Sequence, residues 1–272
     1  MKIVSSGKVL NSRGFYEKKR RRQRLKLGLL SFGFLLLLGF SLYFVRQPRF
    51  LITEVTVPAE SVIDKEGIIS NVKSLLGGYY LWFIPRASTF VYPRQAIEEN
   101  FIVEFPRFRS VDLNTKNQAL LISVEERIPS ALYCTNHDEC YFMDDGGLIF
   151  AFAPSFSGAV YLIYTTQDPI ENPVGKRLMA VEEFVELSKF IGTLTVLDIH
   201  PVALEIRVDE YSLVLAGGGQ IIWRKDSDFT LIRSNLEAFL SNDAIRAQNN
   251  FLDKIKSLDL RIDNKVFYKF KD

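Results

Sequence analysis

Arg109-Ser-Val-Asp-Leu-Asn-Thr-Lys-Asn-Gln-Ala-Leu-Leu-Ile-Ser-Val-Glu-Glu126 decides the fold of the first half of this chain. Arg109 to Asn114 and Ala119 to Glu126 read as two strands, with Thr-Lys-Asn-Gln between them as a hairpin turn. Leu120, Ile122 and Val124 alternate with Leu121, Ser123 and Glu125, as a sheet with one buried face requires. Upstream, Pro93 can start a helix that carries Ala96, Ile97 and Phe101 on one side. Before it comes the turn-rich aromatic passage Tyr79-Tyr-Leu-Trp-Phe-Ile-Pro85. Asp64 reads as an N-cap for a helix with Ile68, Ile69, Val72, Leu75 and Leu76 at helical spacing, ended by Gly77-Gly78. Phe50 to Val57 reads as a strand of β-branched residues closed by Pro58. The resulting order over residues 50–128 is β-α-α-β-β.

Further upstream lies Leu27 to Val45, uncharged throughout and containing eight leucines. As a helix it reaches about 28 Å, close to the hydrocarbon thickness of a bilayer. Residues 1–26 carry ten basic side chains against one acid, Glu17, a local charge of +9. Beyond the apolar run the flank holds only Arg46 and Arg49. The positive-inside rule then keeps the tail in the cytoplasm and exports everything after Val45. A cleaved signal peptide fits less well, because its core is shorter and a small-residue cleavage site follows it. Clustered Lys and Arg also suit nucleic acid or acidic lipid, but topology alone accounts for the tail. The whole chain is +2, so removing the tail's +9 leaves −7 for residues 27–272, which speaks against a nucleic-acid surface.

Downstream, residues 129–272 read as a β-rich domain with flanking helices. Strands are expected at Leu132 to Cys134, Tyr141 to Met143, Leu148 to Phe152 and Val160 to Tyr164, with Asp144-Asp-Gly-Gly147 as a tight turn. Calcium at that turn lacks the further spaced acids a binding loop needs. A helix is expected at Ala180 to Ile191, then strands at Val196 to Ile199, Ala203 to Val208, Tyr211 to Ala216 and Ile221 to Trp223. Gly217-Gly-Gly219 reads as a turn, since no Lys-Ser or Lys-Thr follows to make a phosphate loop. Phe229 to Leu240 is a further amphipathic helix, extended by Ala244 to Phe251.

The last segment alternates Leu258, Leu260, Ile262, Asn264, Val266, Tyr268 and Phe270 with largely charged residues, giving a strand with one apolar face. A turn at Asp263-Asn264 would split it in two, and both readings stay open. The only cysteines, Cys134 and Cys140, are six positions apart. A local disulfide, free thiols and a metal site completed by His137 with Asp138 or Glu139 are the three readings. Zinc normally takes ligands from two separated pairs, and no second pair is present.

Four segments, in order behind one anchor, resemble the bacterial cell-division family FtsQ, called DivIB in Gram-positive bacteria. Phe105-Pro-Arg-Phe-Arg-Ser-Val111 followed by Leu121-Ile-Ser-Val-Glu-Glu-Arg-Ile-Pro-Ser-Ala131 is similar to the family's junction motif, with Glu126, Arg127, Pro129 and Ala131 in its signature places. Met143-Asp-Asp-Gly-Gly-Leu-Ile-Phe150 resembles a second motif. Leu258-Asp-Leu-Arg261, with Asp259 and Arg261, resembles the C-terminal one. The Cys134–Cys140 loop is not a hallmark of the family, and Asn117-Gln118 stands where its members often have proline. The resemblance implies an α+β chain with one transmembrane helix, a POTRA domain at 50–128 and a β domain at 129–272. It also implies a single-pass, septal scaffold in the inner membrane that binds FtsB-like and FtsL-like divisome partners, with no catalysis, cofactor, metal or small-molecule substrate. The partner-binding positions would be Ile262, Asn264, Val266, Tyr268 and Phe270, where an edge strand accepts a partner strand. A membrane-anchored cell-wall hydrolase is the rival of another class, but neither His137 nor His200 lies in a nucleophile motif. A POTRA-type transport component is the other rival; such proteins typically carry several repeats or a barrel.

Overall fold

The computed structural model describes residues 12–57, 65–135, 139–246 and 251–271. Expectations for Pro58, the Asp64 cap, His137, Asp138 and residues 1–11 of the tail lie outside them. The chain is mixed α+β and forms two compact units, 1–99 with 112–123, and 100–111 with 124–272. The division passes through a helix and through the Arg109–Glu126 hairpin, whereas the sequence suggests a boundary near residue 128.

The first unit begins with α1 (Ser12–Val45), one helix long and apolar enough to cross a membrane. The basic run and the apolar run are thus one continuous rod. A 3₁₀ turn (Pro48–Phe50) follows, so the strand expected from Phe50 shrinks to β1 (Glu54–Thr56). Proline at the start of that turn lacks the N–H a ladder needs. Next come α2 (Lys65–Leu76), the short hairpin β2 (Tyr79–Tyr80) and β3 (Ile84–Pro85), α3 (Arg94–Glu104), β4 (Phe108–Lys116) and β5 (Ala119–Glu126). The three longer strands are ordered β1-β5-β4, with β1 parallel to β5. Ile68, Val72 and Leu76 of α2 are buried, as are Ile97, Leu113, Leu120 and Ile122. The β4–β5 turn is tighter than expected. Only Asn117 and Gln118 form it, at φ 49° and 68°, so β4 runs on to Lys116.

The second unit is built on one nine-stranded sheet. Its strands are β6 (Ala131–Cys134), β7 (Cys140–Met143), β8 (Ile149–Phe152), β9 (Ile163–Thr166), β10 (Pro201–Ile206), β11 (Glu210–Leu215), β12 (Gln220–Arg224), β13 (Ile255–Asp259) and β14 (Phe267–Phe270). The order is β14-β13-β12-β11-β10-β9-β6-β7-β8. Two of its parallel pairs, β9 with β10 and β12 with β13, need crossovers, and helices supply them. The first is α4 (Val181–Leu194). The second contains α5 (Phe229–Leu240), α6 (Asp243–Arg246) and α7 (Phe251–Lys254). Asp228 caps α5 by accepting from the Thr230 N–H at 2.8 Å.

Phe184, Leu187, Phe190 and Leu194 of α4 and Ile232 and Leu236 of α5 share one buried core with Tyr164, Leu204, Leu213, Ile221, Trp223 and Leu258 of the sheet. Val196 to Ile199 does not form the expected strand: Thr195–Leu197 is a 3₁₀ turn that closes α4, and Asp198 takes φ 60°. A helix already packed through Leu194 determines the next residues more strongly than their β propensity. Gly219 is required where it stands, because a Cβ there would lie 2.6 Å from the Ile255 carbonyl oxygen.

Candidate functional site

Of the two readings of the C-terminal segment, the split at Asp263-Asn264 is the one observed: β13 and β14 form a hairpin, joined by a turn in which Asn264 adopts φ 58°. Fourteen residues in one strand would extend about 48 Å. The neighbouring β12 has five residues, too few to pair with such a length. Ile262 and Asn264 therefore stand in the turn and are exposed, Val266 precedes β14 and packs against the core, and only Tyr268 and Phe270 belong to the strand.

Tyr268 and Phe270 do not form a free apolar face. The Tyr268 ring lies 5.4 Å from Phe239 and 6.3 Å from Phe251, and Phe270 lies 5.5 Å from Phe251. Tyr268 is half exposed even so, as is Phe267 in the alternate position. What β14 does offer is backbone: among the described residues it pairs with β13 and has no strand on its other side. Lys265, Lys269 and Lys271 surround that edge. Such charge, with the strand's shortness, discourages indiscriminate pairing. The Lys271 ammonium ties the end of the strand to the carbonyl oxygens of Gly217 and Asp253. The chemistry available is hydrogen bonding to an incoming extended segment.

Asp259 and Arg261 stand between β13 and the turn. Arg261 donates from Nε and Nη2 to Asp259 at 2.9 and 2.6 Å, and from Nη1 to Glu210 of β11 at 3.0 Å. Glu210 also accepts from Arg207, which bonds Glu205. These bonds from Arg261 hold the Asp259 carboxyl below its ordinary pKa, against partial burial. The cluster fixes the chain where β13 leaves the sheet.

The residues of the junction motif do a different job. Arg127 donates from Nε to the Pro106 carbonyl at 2.9 Å and from Nη1 to Asp144 at 2.6 Å. Asp144 is the one buried charged residue among the described residues, and it also accepts from the N–H groups of Gly146 and Leu148. Glu126 pairs with Arg107 at 3.1 Å, Ala131 is buried opposite Met143, and Pro129 is half-buried. Two motifs that are distinct in sequence thus meet in one ion pair. Sequence reading singled out both but missed the pairing, because seventeen positions separate the partners.

Cys134 and Cys140 face each other across the β6–β7 ladder and are joined by a disulfide, S–S 1.99 Å. Joined sulfurs are not thiolate ligands. Among the described residues no group of three or more His, Cys, Asp or Glu side chains is placed to hold a metal. The chain matches no protein-family model, and a search of curated proteins finds no match.

Proposed function

We propose that the chain is a bitopic, non-catalytic scaffold of the bacterial divisome, of the FtsQ/DivIB type, and that it receives an FtsB-like partner strand along β14. The observation that carries this reading is the position of β14. It is a short, lysine-flanked strand at the open end of a nine-stranded sheet, directly after the Asp259-Leu-Arg261 segment that resembles the family's C-terminal motif. Further support comes from the order β1-α2-α3-β4-β5, with the short β2–β3 hairpin between the two helices and β1 parallel to β5, which agrees with a POTRA domain. The Arg127–Asp144 pair adds a reason for two family-like motifs to occur together. In this reading the basic tail is cytoplasmic, the rest is exported, FtsL-like protein joins the complex, and the assembly collects at the septum.

The test is capture of the FtsB and FtsL homologues by tagged full-length chain in its host. Phe267→Asp replaces a half-exposed apolar ring on the edge strand with a charge without removing a core side chain, and Tyr268→Pro removes a backbone donor. Capture should fall at least about tenfold for Tyr268→Pro, as the loss of a few backbone hydrogen bonds implies, and several-fold for Phe267→Asp, which replaces exposed apolar surface with a charge. Val196→Asp, at an exposed site away from β14, should capture as the parent does. Undiminished capture by Phe267→Asp protein with parental urea resistance overturns the reading. Turnover of purified peptidoglycan by the chain would overturn its non-catalytic part.

A further inference from the structure

The hairpin between α2 and α3 places its two bulkiest tip residues where a turn ordinarily takes Asn-Gly. Tyr80 pairs with Ile84 across the loop Leu81–Phe83, and within it Phe83 N–H bonds the Tyr80 carbonyl at 3.2 Å, so Leu81 and Trp82 are the central residues of a four-residue turn, at φ 47° and 71°. Left-handed backbone at both positions defines the mirror-image turn that polar or glycine residues favour. The other such turn in the same unit meets that preference at its first position, Asn117, and carries a polar residue, Gln118, at its second. Leu81 and Trp82 gain nothing from the protein in return: they are 76% and 94% exposed, and Phe83 beside them is 41% exposed. Strained backbone that holds apolar side chains out in solvent points to a ligand outside the fold.

The hairpin's surroundings identify that ligand. The C-terminal end of α1 lies against β3. Phe44, in the last turn of the apolar run, lies 4.5 Å from Phe50 and 6.1 Å from Phe90 in tilted pairs, and Phe50 lies 5.1 Å from Phe90. Ile52 N–H bonds the Ala87 carbonyl at 2.7 Å and Thr89 N–H bonds the Phe50 carbonyl at 2.8 Å, which straps the segment after the hairpin to the end of the helix. Arg49 lies over the Phe50 ring and Arg86 over the Tyr80 ring, each at 5.2 Å, and Arg46 directly follows the helix in sequence. Aromatic rings mixed with arginines at the end of an apolar helix have the composition of a bilayer interface, where rings sit among headgroups and guanidinium groups meet phosphates.

We propose that Leu81, Trp82 and Phe83 insert into the headgroup layer of the same bilayer that α1 enters, giving the first unit a second membrane contact. The proposal rests on α1 being a membrane span. It makes the hairpin a depth gauge that fixes how the first unit is held against the lipid.

Tryptophan fluorescence of the full chain in nanodiscs of phosphatidylcholine and phosphatidylglycerol tests it. The chain has two tryptophans, and Trp223 is fully buried, so the difference between parent and Trp82→Ser reports Trp82 alone. Lipids brominated near the headgroup should reduce that difference signal roughly twofold, and aqueous iodide should leave it nearly unchanged, as for an interfacial ring. A Leu36→Trp variant of the Trp82→Ser chain serves as the reporter for the span, quenched by lipids brominated at mid-chain. Quenching at position 36 with Trp82 open to iodide overturns the hairpin proposal and leaves the anchor standing. Quenching at neither position overturns both. Trp82 shielded from iodide and lipid alike assigns the tip to a second copy of the chain and overturns lipid insertion.

Discussion

Arg127 and Arg261 both belong to short motifs and both grip an aspartate, but in opposite surroundings. The side chains of Arg127 and Asp144 are 12% and 7% exposed, while those of Arg261 and Asp259 are 44% and 28% exposed. Removing one partner of a buried pair leaves the other charge without water or counter-charge, whereas an exposed pair exchanges its partner for solvent. The same chemistry therefore secures the core in one place and only orients the surface in the other. Arg127 ties a strand end to a tight turn, and Arg261 steadies the chain beside the proposed docking edge.

The largest effect should come from Asp144→Ala, which strips Arg127 of its carboxylate and two N–H groups of their acceptor. A loss of about 3–5 kcal/mol is expected, read as a lowered urea midpoint of the full chain in detergent, followed by Trp223 emission. A loss below that of Arg261→Ala would break the contrast between the two sites. Arg261→Ala itself should cost at most about 1 kcal/mol, and the cost should shrink further in high salt, as screening of exposed charges requires. Its clearer readout is partner capture, which should weaken while the urea midpoint barely moves.

The smallest effect is a dependence on pH. The folded-state pKa of Asp259 is depressed chiefly by its hydrogen bonds from Arg261. Its contribution to stability is therefore complete above the ordinary carboxylate value of about 4 and is lost as pH falls through the lower folded value. The difference in urea midpoint between parent and Arg261→Ala should accordingly narrow on going from neutral to strongly acid solution. A difference that widened on acidification would show that Arg261 acts through something other than Asp259.

Much of the fold was legible where one face of an element meets one core. The periodicities of α2, α4, α5 and β5 fix their places to within a few residues, because a slip would turn buried side chains such as Leu120 and Ile122 to solvent. The terminal hairpin was ambiguous for a physical reason. The sheet's helix-covered side receives Leu258 from one arm and Tyr268 and Phe270 from the other, so the alternation survives a reversal of direction. Only the length of β12 decides between the readings. The Arg127–Asp144 pair was hidden because long-range ion pairs leave no periodic trace, although both members lay in segments already singled out. The Tyr79–Pro85 hairpin gave the weakest signal, since Leu81-Trp82 breaks the rule by which such turns are found.

The order of the sheet also bears on how the chain is made. Synthesis runs from the amino end, and β12 lies between β11, which immediately precedes it, and β13, which does not exist until the second crossover has been built. Asp259, the end of β13, follows Arg224 by 35 residues, a delay of about 2–7 s at ordinary elongation rates. For that interval β12 is the growing edge of an unfinished sheet, with Ile221 and Ile222 beside an unfilled strand position. A nascent chain is thus most open to mispairing just before its last hairpin arrives, and the hairpin that completes the sheet replaces that edge with the short, lysine-flanked one.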